Sequence, residues 1–178
     1  MNENEIIIKC LQGNPLAQRS LYERFAGKMY GVCLRYARDG AEAQDMLQDG
    51  FVRVFRYLEK YEGKGSFEGW IRRIVVNVAL RHIEVSKIKY ETSYENMPEV
   101  ATQPSVLPAL SAEEMLGYLR RLPKGYRTVF NLYALEDYSH AEIATELGIK
   151  ESTSRSQLLK ARLMLQEIIL TENKINVS

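Results

Sequence analysis

Apolar residues recur along this chain at steps of three and four, the period of a helix that buries one face. Leu21, Phe25, Met29, Val32 and Tyr36 form one such stripe, and Leu47, Phe51, Val54 and Leu58 form another. Breakers divide the pattern into elements. A short helix is expected over about Glu3 to Gln12, and Gly13-Asn14-Pro15 ends it. There Asn14 can cap a second helix whose first residue is Pro15, a position where the missing N–H costs nothing. That helix runs to about Arg38, where Arg38-Asp39-Gly40 is a turn signal. A third helix follows from about Ala41 to Lys60. Two glycines in Glu62-Gly63-Lys64-Gly65-Ser66 then predict a loop. Ser66 caps a fourth helix with the stripe Phe67, Trp70 or Ile71, Ile74 and Val78, and periodicity fades after about Glu84.

The chain then changes character. Residues 86–110 hold Pro98, Pro104 and Pro108 among Ser, Thr and Glu residues, which denies them long helices and reads as a flexible linker. Helical patterning resumes with Ser111-Ala112-Glu113-Glu114, a capping box, followed by the apolar set Met115, Leu116, Leu119 and Leu122. After Pro123-Lys124-Gly125 comes a helix carrying Tyr126, Val129, Phe130 and Tyr133. A second capping box, Ser139-His140-Ala141-Glu142, starts a short helix that Gly148-Ile149 terminates. A long helix then runs from about Ser152 into Ile169. The expected architecture is all-α, with two small helical domains at 1–85 and 111–178 joined by the linker at 86–110.

Composition narrows the class. At 178 residues, 46% hydrophobic and 26% charged, the chain is of ordinary globular make-up, and no run approaches the length of a membrane helix. Its polar, acidic start lacks the basic and apolar segments of a secretory signal, so a cytoplasmic location with no membrane insertion is expected. Cys10 and Cys33 lie in apolar helical patterns and read as buried thiols. With His82 and His140 they lack the spacing of a zinc site, and no cofactor is expected. The net charge of +1 conceals a pattern. Residues 1–83 carry 13 Lys+Arg against 10 Asp+Glu, residues 84–114 carry 2 against 6, and residues 115–178 carry 9 against 7. Neither end is basic enough to hold DNA tightly alone.

Three surfaces carry chemistry. Ser139 to Arg162 reads as a helix-turn-helix, with the small Ala144 allowing a close helix crossing and Gly148 at the turn. Its second helix would enter a major groove N-terminus first, presenting Ser152, Thr153, Arg155, Ser156, Gln157 and Lys160. Arg suits guanine and Gln suits adenine, whereas Lys and Ser suit phosphates. On the third helix Gln44, Asp45, Gln48 and Asp49 form an acidic-amide patch, which fits a basic protein surface and not DNA. On the fourth, Arg73, Asn77 and Arg81 form one polar stripe. The loop before it, Tyr61 to Phe67, combines aromatic and basic residues as single-stranded nucleic acid requires.

These segments together resemble the extracytoplasmic-function (ECF) sigma factors, the smallest members of the sigma-70 family of RNA polymerase subunits. The resemblance rests on Gln44-Asp45-Met46-Leu47-Gln48-Asp49-Gly50-Phe51-Val52-Arg53-Val54-Phe55, on Phe67-Glu68-Gly69-Trp70-Ile71-Arg72-Arg73-Ile74-Val75-Val76-Asn77, and on the helix-turn-helix. It implies that the first domain corresponds to sigma region 2 and the second to region 4. Asp45, Gln48 and Asp49 would then face core RNA polymerase. Lys64, Ser66, Arg72, Arg73, Asn77 and Arg81 would engage the −10 promoter element, with Asn77 and the loop taking an unstacked base and the arginines holding phosphates. Arg155, Gln157 and Lys160 would read or clamp the −35 element. Relatives are often held by an anti-sigma partner, and two domains on a linker permit one here. Ser154 departs from the usual Val, Gln157 from a frequent Arg, Ser152 from a common Gly, and Val75 from a frequent Ala.

The expected function is therefore promoter selection and DNA melting together with core polymerase, with no small-molecule substrate. A stand-alone helix-turn-helix regulator would use residues 139–162 but leave the patch at Asp45 to Asp49 and the Gly63–Gly65 loop idle. An enzyme is not expected, because no titratable pair with an orienting partner is evident.

Overall fold

The computed structural model describes residues 2–83 and 110–176, with side chains to residue 172. The expected linker at 86–110 lies outside the described residues except for Leu110. The chain divides into two units, Met1–Val85 and Ser86–Ser178, and the described secondary structure of both is helical.

The first unit contains α1 (Glu3–Leu11), α2 (Pro15–Tyr36), α3 (Gly40–Tyr57), a 3₁₀ turn (Leu58–Lys60) and α4 (Phe67–His82). Each start is capped as the residue types require. Asn2 and Glu5 form a capping box, and Asn14 accepts from the amides of Leu16 and Ala17 ahead of Pro15. Asp39 accepts from the Glu42 amide, and Ser66 from that of Gly69. Such caps are worth about 1 kcal/mol each.

Helix α3 packs on both α2 and α4, and α1 lies across α2. The core between them holds Leu21, Phe25, Met29, Val32 and Tyr36 of α2 against Met46, Leu47, Phe51 and Val54 of α3. From α4 it takes Phe67, Ile71, Val75 and Val78. Of the expected stripe on α4, Phe67, Ile71 and Val78 are buried, and only Ile74 gives way to Val75. Ile74 is only half-buried and Val75 is fully buried, because α4 is covered along a broad front and also buries Val76, Ala79 and Leu80. Cys10 and Cys33 are buried free thiols, as their apolar settings predict.

The second unit contains α5 (Ala112–Arg121), α6 (Lys124–Phe130), a π-helical turn (Asn131–Leu135), α7 (His140–Leu147) and α8 (Glu151–Asn176). Both expected capping boxes form, at Ser111/Glu114 and at Ser139/Glu142. Gly148 ends α7 in the left-handed region at φ 65°, which a Cβ would disfavour. Helix α8 packs against α5, α6 and α7. It supplies Ala161, Leu165 and Ile168 to a cluster with Leu119 of α5 and Leu122, the residue that caps its C-terminus. Met115, Tyr118, Tyr126 and Phe130 are partly buried against that cluster.

Among the described residues no helix is long and apolar enough to cross a membrane. Within the same set, no group of three or more His, Cys, Asp or Glu side chains could hold a metal ion.

Candidate nucleic-acid interface

Three surfaces were expected to carry function, and each is built by a different local device. On α3, Gln44, Asp45, Gln48 and Asp49 are all exposed, opposite the buried Met46, Leu47 and Phe51. Val52 extends this patch by one turn and is 56% exposed. Asp45, Gln48, Asp49 and Val52 fall at i, i+3, i+4 and i+7, one continuous strip of acid, amide and aliphatic character. Asp49 Oδ2 lies 2.7 Å from His82 Nε2 at the end of α4, so this carboxylate is tied to the neighbouring helix. The exposed apolar member at Val52 was not singled out in the sequence. The signal was there, as a valine out of register with the Leu47, Phe51 and Val54 stripe.

The second surface is the loop before α4. Gly63 and Gly65 both take positive φ, 71° and 78°, and the Tyr61 hydroxyl donates to the Gly65 carbonyl at 3.0 Å. That bond pins the five-residue turn Tyr61 to Gly65, in which Glu62 to Gly65 are exposed, and Ser66 after it is exposed as well. Beneath it the rings of Tyr61, Phe67 and Trp70 pack together at centroid distances of 4.8 to 5.8 Å. Phe67 is buried and belongs to the core, while Trp70 is half-buried. Lys64 pairs with Glu62 at 2.6 Å, and the Ser66 hydroxyl is committed to capping α4.

Along α4, Arg73 and Arg81 are exposed and Asn77 between them is half-buried. The stripe therefore exists, but the Asn77 Oδ1 atom is enclosed and accepts no hydrogen bond. Arg72 stands off this stripe, half-buried and 3.7 Å from Glu68.

The third surface is the start of α8, and here the structure corrects the expectation. Ser152 and Arg155 are exposed, and Thr153 and Lys160 are partly exposed. Ser156 and Gln157 are each only 1% exposed. The reason is helical phase. Ser154, Gln157, Leu158 and Ala161 fall at steps of three and four on the buried side of α8. The Ser156 hydroxyl bonds back to the Thr153 carbonyl at 2.9 Å, a local bond typical of serine in a helix. Neither residue presents itself outward.

The exposed cations of α8 are held by neighbours. Arg155 pairs with Glu151 at 2.9 Å, and the Lys160 ammonium lies 6.0 Å from the Tyr126 ring. His140, weighed in the sequence only as a metal ligand, lies against the Tyr133 ring and reaches Ser154.

A bundle with an acidic-amide strip and a glycine loop, paired in one chain with a helix-turn-helix, has counterparts among known proteins. Residues 21–87 match the family model of sigma-70 region 2, and residues 112–165 match that of sigma-70, region 4. The chain belongs to the sigma-70 family. This sigma factor is 28% identical over 155 residues to the ECF RNA polymerase sigma factor SigE of Mycolicibacterium smegmatis. It spans 60% of that protein, with 84% of its own length aligned. To the RNA polymerase sigma-H factor of Pseudomonas aeruginosa it is 25% identical over 173 residues, covering 90% of each chain.

Among solved structures, it is similar in fold to the sigma factor RpoE from Bartonella quintana, solved in complex with the anti-sigma factor NepR. The TM-score is 0.53 with 19% identity, covering 86% of this chain and 96% of that one. The acidic-amide strip, the glycine loop and α4 fall within the region 2 match, and the helix-turn-helix falls within region 4.

Proposed function

We propose that this sigma factor directs core RNA polymerase to promoters and helps to open the DNA there, without chemistry of its own. The observation that carries the reading is the division of labour in the first unit. One helix, α3, exposes acid and amide where DNA would be repelled. The next, α4, exposes Arg73 and Arg81 behind a glycine loop. A protein-binding face and a nucleic-acid face thus lie on adjacent helices of one bundle.

In this reading Asp45, Gln48 and Asp49 dock on a basic surface of the polymerase. Lys64, Arg72, Arg73 and Arg81 hold phosphates near the −10 element, with Ser66 and Asn77 bordering the captured base. Ser152, Thr153, Arg155 and Lys160 meet the −35 element. Few phosphate contacts per unit make the free protein a weak DNA binder. Polymerase raises the effective concentration of each unit at its element by holding both. Taking a base out of the stack costs a few kcal/mol, which a pocket for that base offsets. An anti-sigma partner fits this reading as well, since RpoE was solved in complex with the anti-sigma factor NepR. The stand-alone regulator is disfavoured because it gives the region 2 unit no task.

In vitro transcription with core polymerase and a genomic promoter library tests this reading. Promoter-specific transcripts that need both proteins are expected. Specific transcripts from core polymerase alone, or no association between the two proteins, would overturn it.

A further inference from the structure

His140 opens α7, and Ser154 lies in the first turn of α8. His140 Nδ1 and Ser154 Oγ are 2.8 Å apart, so one hydrogen bond joins the two helices of the helix-turn-helix. Ser154 is fully buried, and a buried hydroxyl needs a partner. The imidazole also lies nearly parallel to the Tyr133 ring, 21° apart in plane with centroids at 4.5 Å. The Arg162 guanidinium is 5.8 Å from that same ring. A closed circuit results. It leaves α8 at Ser154, passes through His140 on α7 and Tyr133 on the π-helical turn, and returns to α8 at Arg162. Arg155 and Lys160, two of the side chains placed at DNA, lie between its two ends.

We propose that His140 is a positioning residue for promoter reading, fixing through Ser154 the attitude of the first turns of α8. The proposal rests on the DNA-reading role given above to α8. It also accounts for the departure at Ser154, since the valine expected there could not bond to a histidine.

The setting favours a neutral ring. Arg155, Arg162 and Glu151 on α8 act on it electrostatically, and Tyr133 of the π-helical turn packs on it. The amide dipoles at the start of its own helix add further positive potential. Burial, then Arg155, hold the His140 pKa below the ordinary imidazole value, with Arg162 acting the same way and Glu151 opposing. A neutral ring can donate to Ser154 or accept from it, whereas an imidazolium can only donate. The folded unit therefore binds this proton less tightly than the unfolded chain. Stability from this group is present above the ordinary imidazole range and is lost as pH falls through and below it. Acidification should loosen the start of α8.

The test uses full-length protein with core polymerase and a promoter fragment selected from a genomic library by the wild-type holoenzyme. Its −35 element is either intact or scrambled. His140→Ala and Ser154→Ala should each weaken binding to the intact fragment about tenfold. The double variant should lose no more than either single one, because the two residues act as a unit. Core polymerase affinity should not change. His140→Asn, whose amide can replace Nδ1 without titrating, should stay within about twofold of wild type. Wild-type preference for the intact fragment should fall between roughly pH 7.5 and 5.5, by less than the tenfold of the alanine variants because the His140 pKa lies below the ordinary imidazole value, and His140→Asn should stay flat.

Additive losses, or no rescue by Asn, would overturn the proposal. So would wild-type binding that tightens on acidification, the mark of a histidine touching phosphate directly. A holoenzyme that forms but shows no such dependence sinks this inference alone. A holoenzyme that never forms sinks the sigma-factor reading with it. Imidazole NMR titration of the free full-length chain adds a measurement independent of polymerase. The His140 midpoint should lie below the ordinary value and shift in Ser154→Ala, and a midpoint unaffected by that change would overturn the proposal.

Discussion

The position that a Cβ on Gly50 would occupy lies 3.0 Å from Cγ2 of Val75, so α3 and α4 meet where one helix carries no side chain. Val75 is where the resemblance leads one to expect alanine, and Gly50 leaves room for the larger residue. Two effects oppose one another in Gly50→Ala. Helix propensity favours alanine by about 1 kcal/mol. Overpacking costs about 1–3 kcal/mol, and a β-branched side chain in a helix has little freedom to turn away. The substitution should therefore destabilise by about 1 kcal/mol net. In the Val75→Ala background the same change should be neutral or stabilising. Urea denaturation of the four proteins in the cycle checks this.

Asp49 and His82 pair across α3 and α4, but the carboxylate is 62% exposed, so the pair contributes less than about 1 kcal/mol to stability. Asp49→Ala and Asp45→Ala should barely change the denaturation midpoint. If the strip docks on polymerase, each should weaken core binding about tenfold, about 1.4 kcal/mol. Fluorescence anisotropy with labelled protein and core polymerase measures that loss. Loss of fold together with loss of binding would assign these residues a structural role instead.

Arg155 and Gln157 should part company. Arg155→Ala removes an exposed cation and should weaken promoter binding by about 1–3 kcal/mol, relaxing preference at one position if it meets a base. Gln157→Ala removes a buried side chain and should cost stability, about 1–3 kcal/mol, with little direct effect on sequence preference. Thermal denaturation and promoter-library selection, run on both variants, separate the two outcomes.

Burial pushes the Cys33 thiol up to about 12 and raises Cys10 as well. In the folded protein both should resist thiol reagents at mildly alkaline pH, labelling only as fast as the first unit opens. The sign of the pH effect follows from linkage. Above the ordinary thiol value the unfolded chain loses this proton while the folded one keeps it, so stability should fall as pH rises from about 9 towards 12. Cys33→Ala should flatten that decline. Labelling kinetics and denaturation at stepped pH provide the readouts.

The helices and their caps were legible because they rest on local chemistry. Asn14 before Pro15, Ser66, Ser111 and Ser139 each cap the helix they were expected to cap. Their partners lie two or three residues away, within reach of a rule that reads short segments. The acidic-amide patch was equally legible, because the stripe opposite it is strongly apolar. Helical phase on α8 was harder to see. Ser154 and Gln157 are polar, so the buried side of that helix does not announce itself by hydropathy, and Gln157 was placed outward although it is buried.

Sequence by itself determined where the capped helices begin, which face of α2 and α3 turns inward, and to which family the chain belongs, but not the π-helical turn at Asn131–Leu135 or the extension of α8 to Asn176. Periodicity and capping are written in neighbouring residues. Tertiary structure alone decided that Gly50 meets Val75, that Asp49 ties to His82, and that His140 reaches Ser154. Those pairs are fourteen to thirty-three residues apart, and only the packing of one helix on another brings them within a few ångströms. No local pattern encodes that distance. It is set by how side chains interdigitate along the whole length of both helices.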